Sequence, residues 1–345
     1  MTVLPAQTLE SYARELLTAG GFAPAHAENT ARVLVWANAR GTDSHGVLRI
    51  PRYIDMIDEG KIDPVAVPEV ERSEGAVSIL EAARAPGASA MIAAMAEAIA
   101  SAGRQGIGWC SARNITHAGA VGYYALEAAR QGCLGIIMTA SGPLMAYHGA
   151  RVSGLSTNPI SIAVPADPHP ILLDMSTSTV ALGKIMHARD AGKAIPEGWA
   201  IDKDGGAATD PNNVETLTPM SGPKGSGLSL MIEVLASVLV GNPVISEALS
   251  GRPASMNGVA LAIDLRAFGD TQRFARDIAA LVATLKGLPK ARGVEEILMP
   301  GERGFAMSEA RLRDGIPLAA GTVKRLGALA GRLGVVPPSE VAGGA

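Results

Sequence analysis

Near the start of the chain, Leu9, Tyr12, Ala13, Leu16 and Leu17 fall three or four positions apart. That spacing predicts a helix with Thr8 as N-cap and Gly20 as its stop. A second helical stretch runs from about Ala25 to Arg40 and gives way at Gly41 to "GTDSHGVLRIPRY", read as a polar turn followed by extended chain. From residue 76 the rhythm changes. "AVSILEA", "GIGWCSA" and "LGIIMTAS" read as strands, and the segments "GASAMIAAMAEAIASAG" and "GAVGYYALEAARQG" between them read as helices, an α/β alternation. "NPISIAVPA" and "PILLDM" follow with only a few turn residues between them. Strands joined so tightly pair antiparallel, so the sheet is expected to be mixed.

Further along come a helix near 179–191, a polar stretch "DKDGGAATDPNNVETLTPMSGPKGSG" read as a long loop or site wall, and an apolar helix at 227–240. The strand "GVALAID", a helix at 271–286, the strand "EEILMP" and a helix at 319–333 complete a count of about seven strands. Residues 1–70 are expected to form a helical subdomain packed with 305–345, and 71–304 a mixed-sheet region.

Composition narrows the function. Of 345 residues, 48% are hydrophobic and 18% charged, which predicts a folded chain, while a 3% aromatic share leaves the core to small aliphatic residues and Met. A net charge of -3 without a basic stripe argues against nucleic-acid binding. Cys110 and Cys133 sit in apolar segments with no Cys-x-x-Cys spacing, which predicts buried thiols and no structural zinc. The first residues lack a secretory pattern, and "GLSLMIEVLASVLVG" carries Glu233 and is short for a bilayer, so a cytoplasmic protein without membrane contact is expected.

The common nucleotide and hydrolase signatures are missing. "GPKGSGLSL" lacks the third glycine of a dinucleotide fingerprint, no Gly-Lys pair precedes Ser or Thr, and no Gly-x-Ser-x-Gly elbow follows a strand. Four polar clusters remain. In "DSHGVLR", His45 suits proton transfer near neutrality and Arg49 can grip a carboxylate, although a solvated loop with Ser44 as a cap explains the pattern too. His117 precedes a glycine-rich helix start that favours anions. Asp174 ends an apolar strand ahead of Ser176, Thr177 and Ser178, where it can orient an imidazole or meet a ribose, or the hydroxyls can be an ordinary cap. Lys224, with Gly225 and Gly227, marks a helix start suited to a diphosphate. His26, His148, His169 and His187 have no evident partner in the sequence.

Five segments in order and spacing, "ARGTDSHGVLRIPRY", "LSTNPISIAVP", "LLDMSTSTVALGKI", "GPKGSGLSLMIEVLASVLVG" and "LMPGE", resemble the malate/L-lactate dehydrogenase family that lacks a Rossmann fold. Sulfolactate, ureidoglycolate and 2,3-diketogulonate oxidoreductases and cyclic-imine carboxylate reductases are its relatives, and the resemblance runs from about residue 8 to about residue 335. It implies a three-layer α/β fold around a mixed sheet, and a homodimer whose site forms where subunits and subdomains meet. It implies NAD or NADP held by Ser141, Thr157, Asn158, Asp174, Met175, Ser176, Lys224, Gly225 and the Gly301 turn. The implied reaction is hydride transfer at C2 of a small 2-hydroxy or 2-oxo acid such as malate, L-lactate or ureidoglycolate. The alternative is NADPH-dependent reduction of a cyclic imino acid. Arg49 would anchor the carboxylate and His45 would carry the proton, with Ser44 nearby and Asp174 as an orienter. His117 is the second candidate for the proton. The chain departs from the family's pattern at "NITHAG" and at Ser226, where an aromatic is common. A binding protein that had kept only the fold would be expected to lose these polar groups, yet all are present.

Overall fold

The computed structural model describes residues 2–190 and 192–342. Its centre is a seven-stranded mixed sheet in the order Glu69–Glu74, Val77–Glu81, Ile107–Ile115, Met256–Asp264, Cys133–Ala140, Ile160–Val164, Ile171–Met175. Only Val77–Glu81 and Ile107–Ile115 pair in parallel; every other neighbour is antiparallel. The tight connection after Val164 does return antiparallel, with Ile160 opposite Met175 and Val164 opposite Ile171.

Sheet orientation decides where a site can form. Following the pairings, Val77–Glu81, Ile107–Ile115, Cys133–Ala140 and Ile171–Met175 all run the same way, so their C-terminal ends reach one edge. His117, Ser141 and the Asp174–Ser176 run sit at or just past three of those ends.

The strands alternate. Cys110, Ala112, Ile137, Ala260 and Ala262 face a core shared with helices Gly87–Gln105 and Gly122–Arg130. Trp109, Met138 and Val259 face the opposite layer, helix Pro223–Glu233 and its π-helical continuation Val234–Val238. The scarcity of aromatics has a consequence here. A Cβ on Gly108 would lie 1.9 Å from the Ala98 carbonyl oxygen, and one on Gly135 would lie 2.5 Å from that of Ala125. Small residues let helix backbones rest directly on the strands.

A second core joins helices Ala6–Ala19, Pro24–Ala39 and Ile50–Asp58 to the C-terminal helix Ala320–Leu333, with Leu9, Leu16, Leu34, Ile50 and Leu326 all fully buried. A third, smaller core lies under a four-stranded sheet that includes Ala200–Ile201 and Thr216–Leu217. The polar stretch read as a long loop is therefore largely an ordered, hydrogen-bonded layer.

Other expectations are corrected. The first helix begins at Ala6 with Pro5 at its N-cap, so Thr8 is internal. "GTDSHGVLRIPRY" does not run on extended: two 3-10 turns, Asp43–His45 and Val47–Arg49, lead into helix Ile50–Asp58. "EEILMP" forms no strand; the seventh strand is the charged Glu69–Glu74, and Pro300 gives the sheet a single backbone bond, from Leu172 N at 3.0 Å. A helix at Glu302–Asp314 went unpredicted.

Candidate active site

The two 3-10 turns exist because Asn38, at the end of the second helix, governs the chain that follows. Its Oδ1 accepts from Val47 N at 2.8 Å and its Nδ2 donates to Asp43 Oδ1 at 2.7 Å. Gly46 packs so closely on this carboxamide that a Cβ there would lie 2.1 Å from Oδ1. The turns aim Ser44, His45 and Arg49 together. Ser44 Oγ is 3.0 Å from His45 Nδ1, and Arg49 Nε donates to the Ser44 carbonyl at 2.7 Å. Ser44 is thus the partner of His45, not a helix cap.

His117 arrives from the far side, on the loop between Ile107–Ile115 and Gly122–Arg130. Its backbone is fixed by Gly87, where a Cβ would strike the Thr116 and His117 carbonyls at 2.4–2.5 Å. The His45 and His117 rings stack with centroids 5.6 Å apart, and Tyr53, from helix Ile50–Asp58, closes on His117 from 64 residues earlier in the chain. Tyr53 Oη lies 2.7 Å from His117 Nδ1. Burial raises the phenol's pKa, so it keeps its proton and is able to donate it to Nδ1. His117 is then held as the tautomer with its proton on Nε2.

Charge in this cluster differs from the sequence expectation of an imidazole near neutrality. Burial first, and the Arg49 cation second, push the His45 pKa down to about 4. His117 is driven well below its ordinary value by burial, Arg49 and His45. Both rings are neutral at pH 7 in the free chain. An anion paired with Arg49 would cancel the second cause and raise His45.

Asp174 is not beside an imidazole. Its Oδ2 accepts from Gly122 N at 3.1 Å, and a Cβ on Gly122 would lie 2.5 Å from that oxygen. The anion at the glycine-rich helix start is therefore a side chain of the protein itself. The carboxyl keeps an exposed face toward the cleft although protein surrounds it. Desolvation raises its pKa to about 6 against the opposing pull of Gly122 N–H and Arg40. Arg40 is a contributor that the sequence reading missed. It lies over the Phe305 ring at 4.1 Å, donates to the Gly301 carbonyl at 3.2 Å, and is lowered to about 10 chiefly by burial.

The remaining candidates form one continuous wall. Met175 and Ser176 follow Asp174, and Ser176 Oγ is 3.0 Å from Ser178 Oγ. The Gly301 turn, with φ +91°, rests on Leu172, where a Cβ would come within 2.9 Å. Helix Pro223–Glu233 reaches the same wall through Gly225, where a Cβ would lie 2.5 Å from Met220 and 2.6 Å from the Thr177 carbonyl. Gly225 N already donates to Met220 O at 2.8 Å and Ser226 N to Gly222 O at 3.2 Å. That start is therefore less open to a diphosphate than the sequence suggested. Lys224 is exposed and, among the described residues, without an ion-pair partner. Ser141 bonds Ser156 through its hydroxyl and Asn158 through its amide. Asn158 is fully buried, its carboxamide also donating to Ser229 O at 3.0 Å, so it stands behind the wall as scaffold, and Thr157 accepts from Thr177 N at 3.0 Å. The two halves meet at Gly183, where a Cβ would lie 2.7 Å from Ser44 Cβ.

The other histidines lie outside this cluster. His26 is bonded to Ser89 and Ala66, His169 pairs with Glu309, and His148 lies beside Gly222. The side chain of His187 lies outside the described residues. Among the described residues no helix is long and apolar enough to cross a membrane, and no cluster of metal-ligating side chains occurs.

Known proteins resemble this chain in sequence and fold. A malate dehydrogenase from Pyrococcus horikoshii is 36% identical over 344 residues, covering 96% of each chain. A ureidoglycolate dehydrogenase (NAD(+)) from Escherichia coli is 33% identical over 304 residues, covering 86% of each. The crystal structure of malate dehydrogenase from Entamoeba histolytica superposes with a TM-score of 0.92 at 27% identity, covering 98% of this chain and all of that one. Residues 4–327 match the malate/L-lactate dehydrogenase family along nearly their whole length, and the chain belongs to that family of oxidoreductases.

Proposed function

We propose that the protein transfers a hydride between NAD or NADP and C2 of a small 2-hydroxy or 2-oxo acid, with Arg49 anchoring the carboxylate and His45 exchanging the proton. The observation that carries this reading is the pair of stacked imidazoles with the Arg49 guanidinium beside them, together with an exposed Asp174 carboxylate at a nearby strand end and a Lys224 that, among the described residues, has no ion-pair partner. A nicotinamide dinucleotide fits the continuous wall. Thr177 Oγ1 is buried there with no hydrogen-bond partner among the described residues, and Lys224, exposed and without an ion-pair partner among them, can meet a diphosphate. Asp174, Met175, Ser176, Ser141 and the Gly301 turn would hold the remainder. The name of the ureidoglycolate relative, which specifies NAD(+), supports the cofactor class.

The bound nicotinamide supplies or accepts the hydride. Arg49 fixes the substrate carboxylate through its planar fork and so sets the C2 oxygen against the imidazoles. His117, held by Tyr53 with its proton on Nε2, donates a hydrogen bond to that oxygen and steadies charge developing on it. His45, whose Nδ1 partner Ser44 can donate or accept, is the ring free to change protonation state. It takes the hydroxyl proton in oxidation and returns it in reduction.

We also propose a homodimer. Helix Thr271–Lys286 places Phe274, Ile278, Leu281, Val282 and Leu285 on one face, yet none of its residues is buried in this chain. A second copy covering it would be read as doubled mass by light scattering.

Malate, L-lactate, ureidoglycolate, their oxo forms and a cyclic imino acid, each with NADH or NADPH and the oxidised forms, constitute the test. Turnover of a hydroxy/oxo pair supports the reading. Turnover of the imino acid alone would replace it with the reductase alternative.

A further inference from the structure

We propose that Arg311 is a positioning residue that clamps the segment carrying His45 and Arg49 onto helix Glu302–Asp314. The proposal rests on the preceding reading only in treating that segment as the substrate side of the site. The Arg311 side chain is 15% exposed, and its guanidinium spans both oxygens of Asp43, at 2.9 and 3.3 Å, while also donating to the Asn38 carbonyl. Asp43 is the point from which the 3-10 turns hang. Its side chain takes Asn38 Nδ2 and its carbonyl accepts from Gly46 N at 3.0 Å. Apart from Asp43, those turns are held by His45 N to Thr42 O, Arg49 N to Gly46 O, Val47 N to Asn38 Oδ1 and Arg49 Nε to the Ser44 carbonyl.

The same helix grips the segment at a second point. Arg40 donates to the Gly301 carbonyl, lies on Phe305, and is so close to Gly304 that a Cβ there would meet its guanidinium at 2.5 Å. Positions 301, 304, 305 and 311 recur on one face of the helix, so both grips belong to one rigid surface. That surface also rests on Leu172, two residues before Asp174. The imidazole and guanidinium are thereby set relative to the strand end through two arginines that meet neither substrate nor cofactor. A bidentate pair with a partly buried guanidinium holds direction as well as distance, which a lysine cannot reproduce.

Amide hydrogen exchange over residues 41–50 and steady-state kinetics on Arg311→Met, Asp43→Ala, the double variant and Arg311→Lys test the clamp. Arg311→Met should speed exchange at Gly46, Val47 and Arg49 by about tenfold, the scale of a lost local contact in a cooperative unit. It should raise KM for the acid by a similar factor and leave NADH affinity nearly unchanged. Asp43→Ala should do the same, the double variant should be no worse than either single, and Arg311→Lys should recover part of the loss. Exchange and KM within about twofold of wild type in Arg311→Met, or effects that multiply in the double variant, would overturn the clamp. Should wild type turn over no acid in the panel, the reading of the reaction fails instead, and the exchange measurement still decides the clamp.

Discussion

A buried imidazole beside a guanidinium is an unusual choice for a proton carrier, because burial first and the cation second hold the ring's pKa down. An anion on Arg49 removes the repulsion, the smaller of the two causes, and so raises His45 in the complex. The kcat/KM profile for oxidation, which reports the free enzyme, should therefore show its acid limb near pH 4, below the limb in kcat. Replacing Arg49 by Lys keeps the charge and loses the fork, so KM for the acid should rise by roughly tenfold or more with NADH affinity intact. Equal loss of both would make Arg49 a support for the fold. Asp174 makes the opposite trade. Its folded pKa of about 6 lies above the unfolded value, so its charge costs stability at neutral pH, and that cost is relieved as pH falls through 6. Asp174→Asn should melt higher than wild type at pH 7.5, the gain shrinking as pH falls through about 6 and vanishing only near the unfolded value of 3.8, while cofactor affinity drops. A variant that melts lower at pH 7.5 would contradict this account of Asp174.

Elements with strong periodicity were legible in the sequence, and those defined by contacts were not. Helix Thr271–Lys286 and the antiparallel return after Val164 follow directly from pattern. Helix Ile50–Asp58 was hidden by Pro51, which breaks a helix interior but suits a first turn, where its missing N–H would have no partner anyway. Strand Glu69–Glu74 carries no apolar alternation because it is an exposed edge, and "EEILMP" carries a strand's composition without a ladder to join. Of the site, His45, Arg49, His117 and Asp174 were visible as residue types. Tyr53, Arg40 and Arg311 were not, since each matters through a partner 64 or more positions away. Gly225 links the elements of the cofactor wall: Gly225→Ala would push a methyl into Met220 and the Thr177 carbonyl, both backbone. That overpacking should cost about 1–3 kcal/mol and weaken nucleotide binding more than acid binding. Unchanged nucleotide affinity would separate this helix start from the cofactor.

The molecule as a whole joins a helical core, drawn from both chain termini, to a sheet whose C-terminal edge bears the candidate site. Leu326 lies in that helical core, fully buried, and Tyr12 Oη donates to its carbonyl at 3.2 Å. Leu326→Ala should lower stability by about 2–5 kcal/mol, the range for an emptied core site. The same core holds Val47 and Tyr53, next to Arg49 and His117, so a kcat loss beyond the fraction unfolded would show that this core sets the site directly.

The central claim is that His45 moves the proton while His117 orients the oxygen. Absorbance of the reduced nicotinamide, followed in single turnover with His45→Ala and His117→Ala beside wild type, tests it most directly. The account predicts that His45→Ala loses on the order of a hundredfold or more in the hydride-transfer rate with nucleotide binding unchanged, and that His117→Ala mainly weakens acid binding. A His45→Ala enzyme that keeps its rate, beside a His117→Ala enzyme that has none, would contradict it and assign the proton to His117.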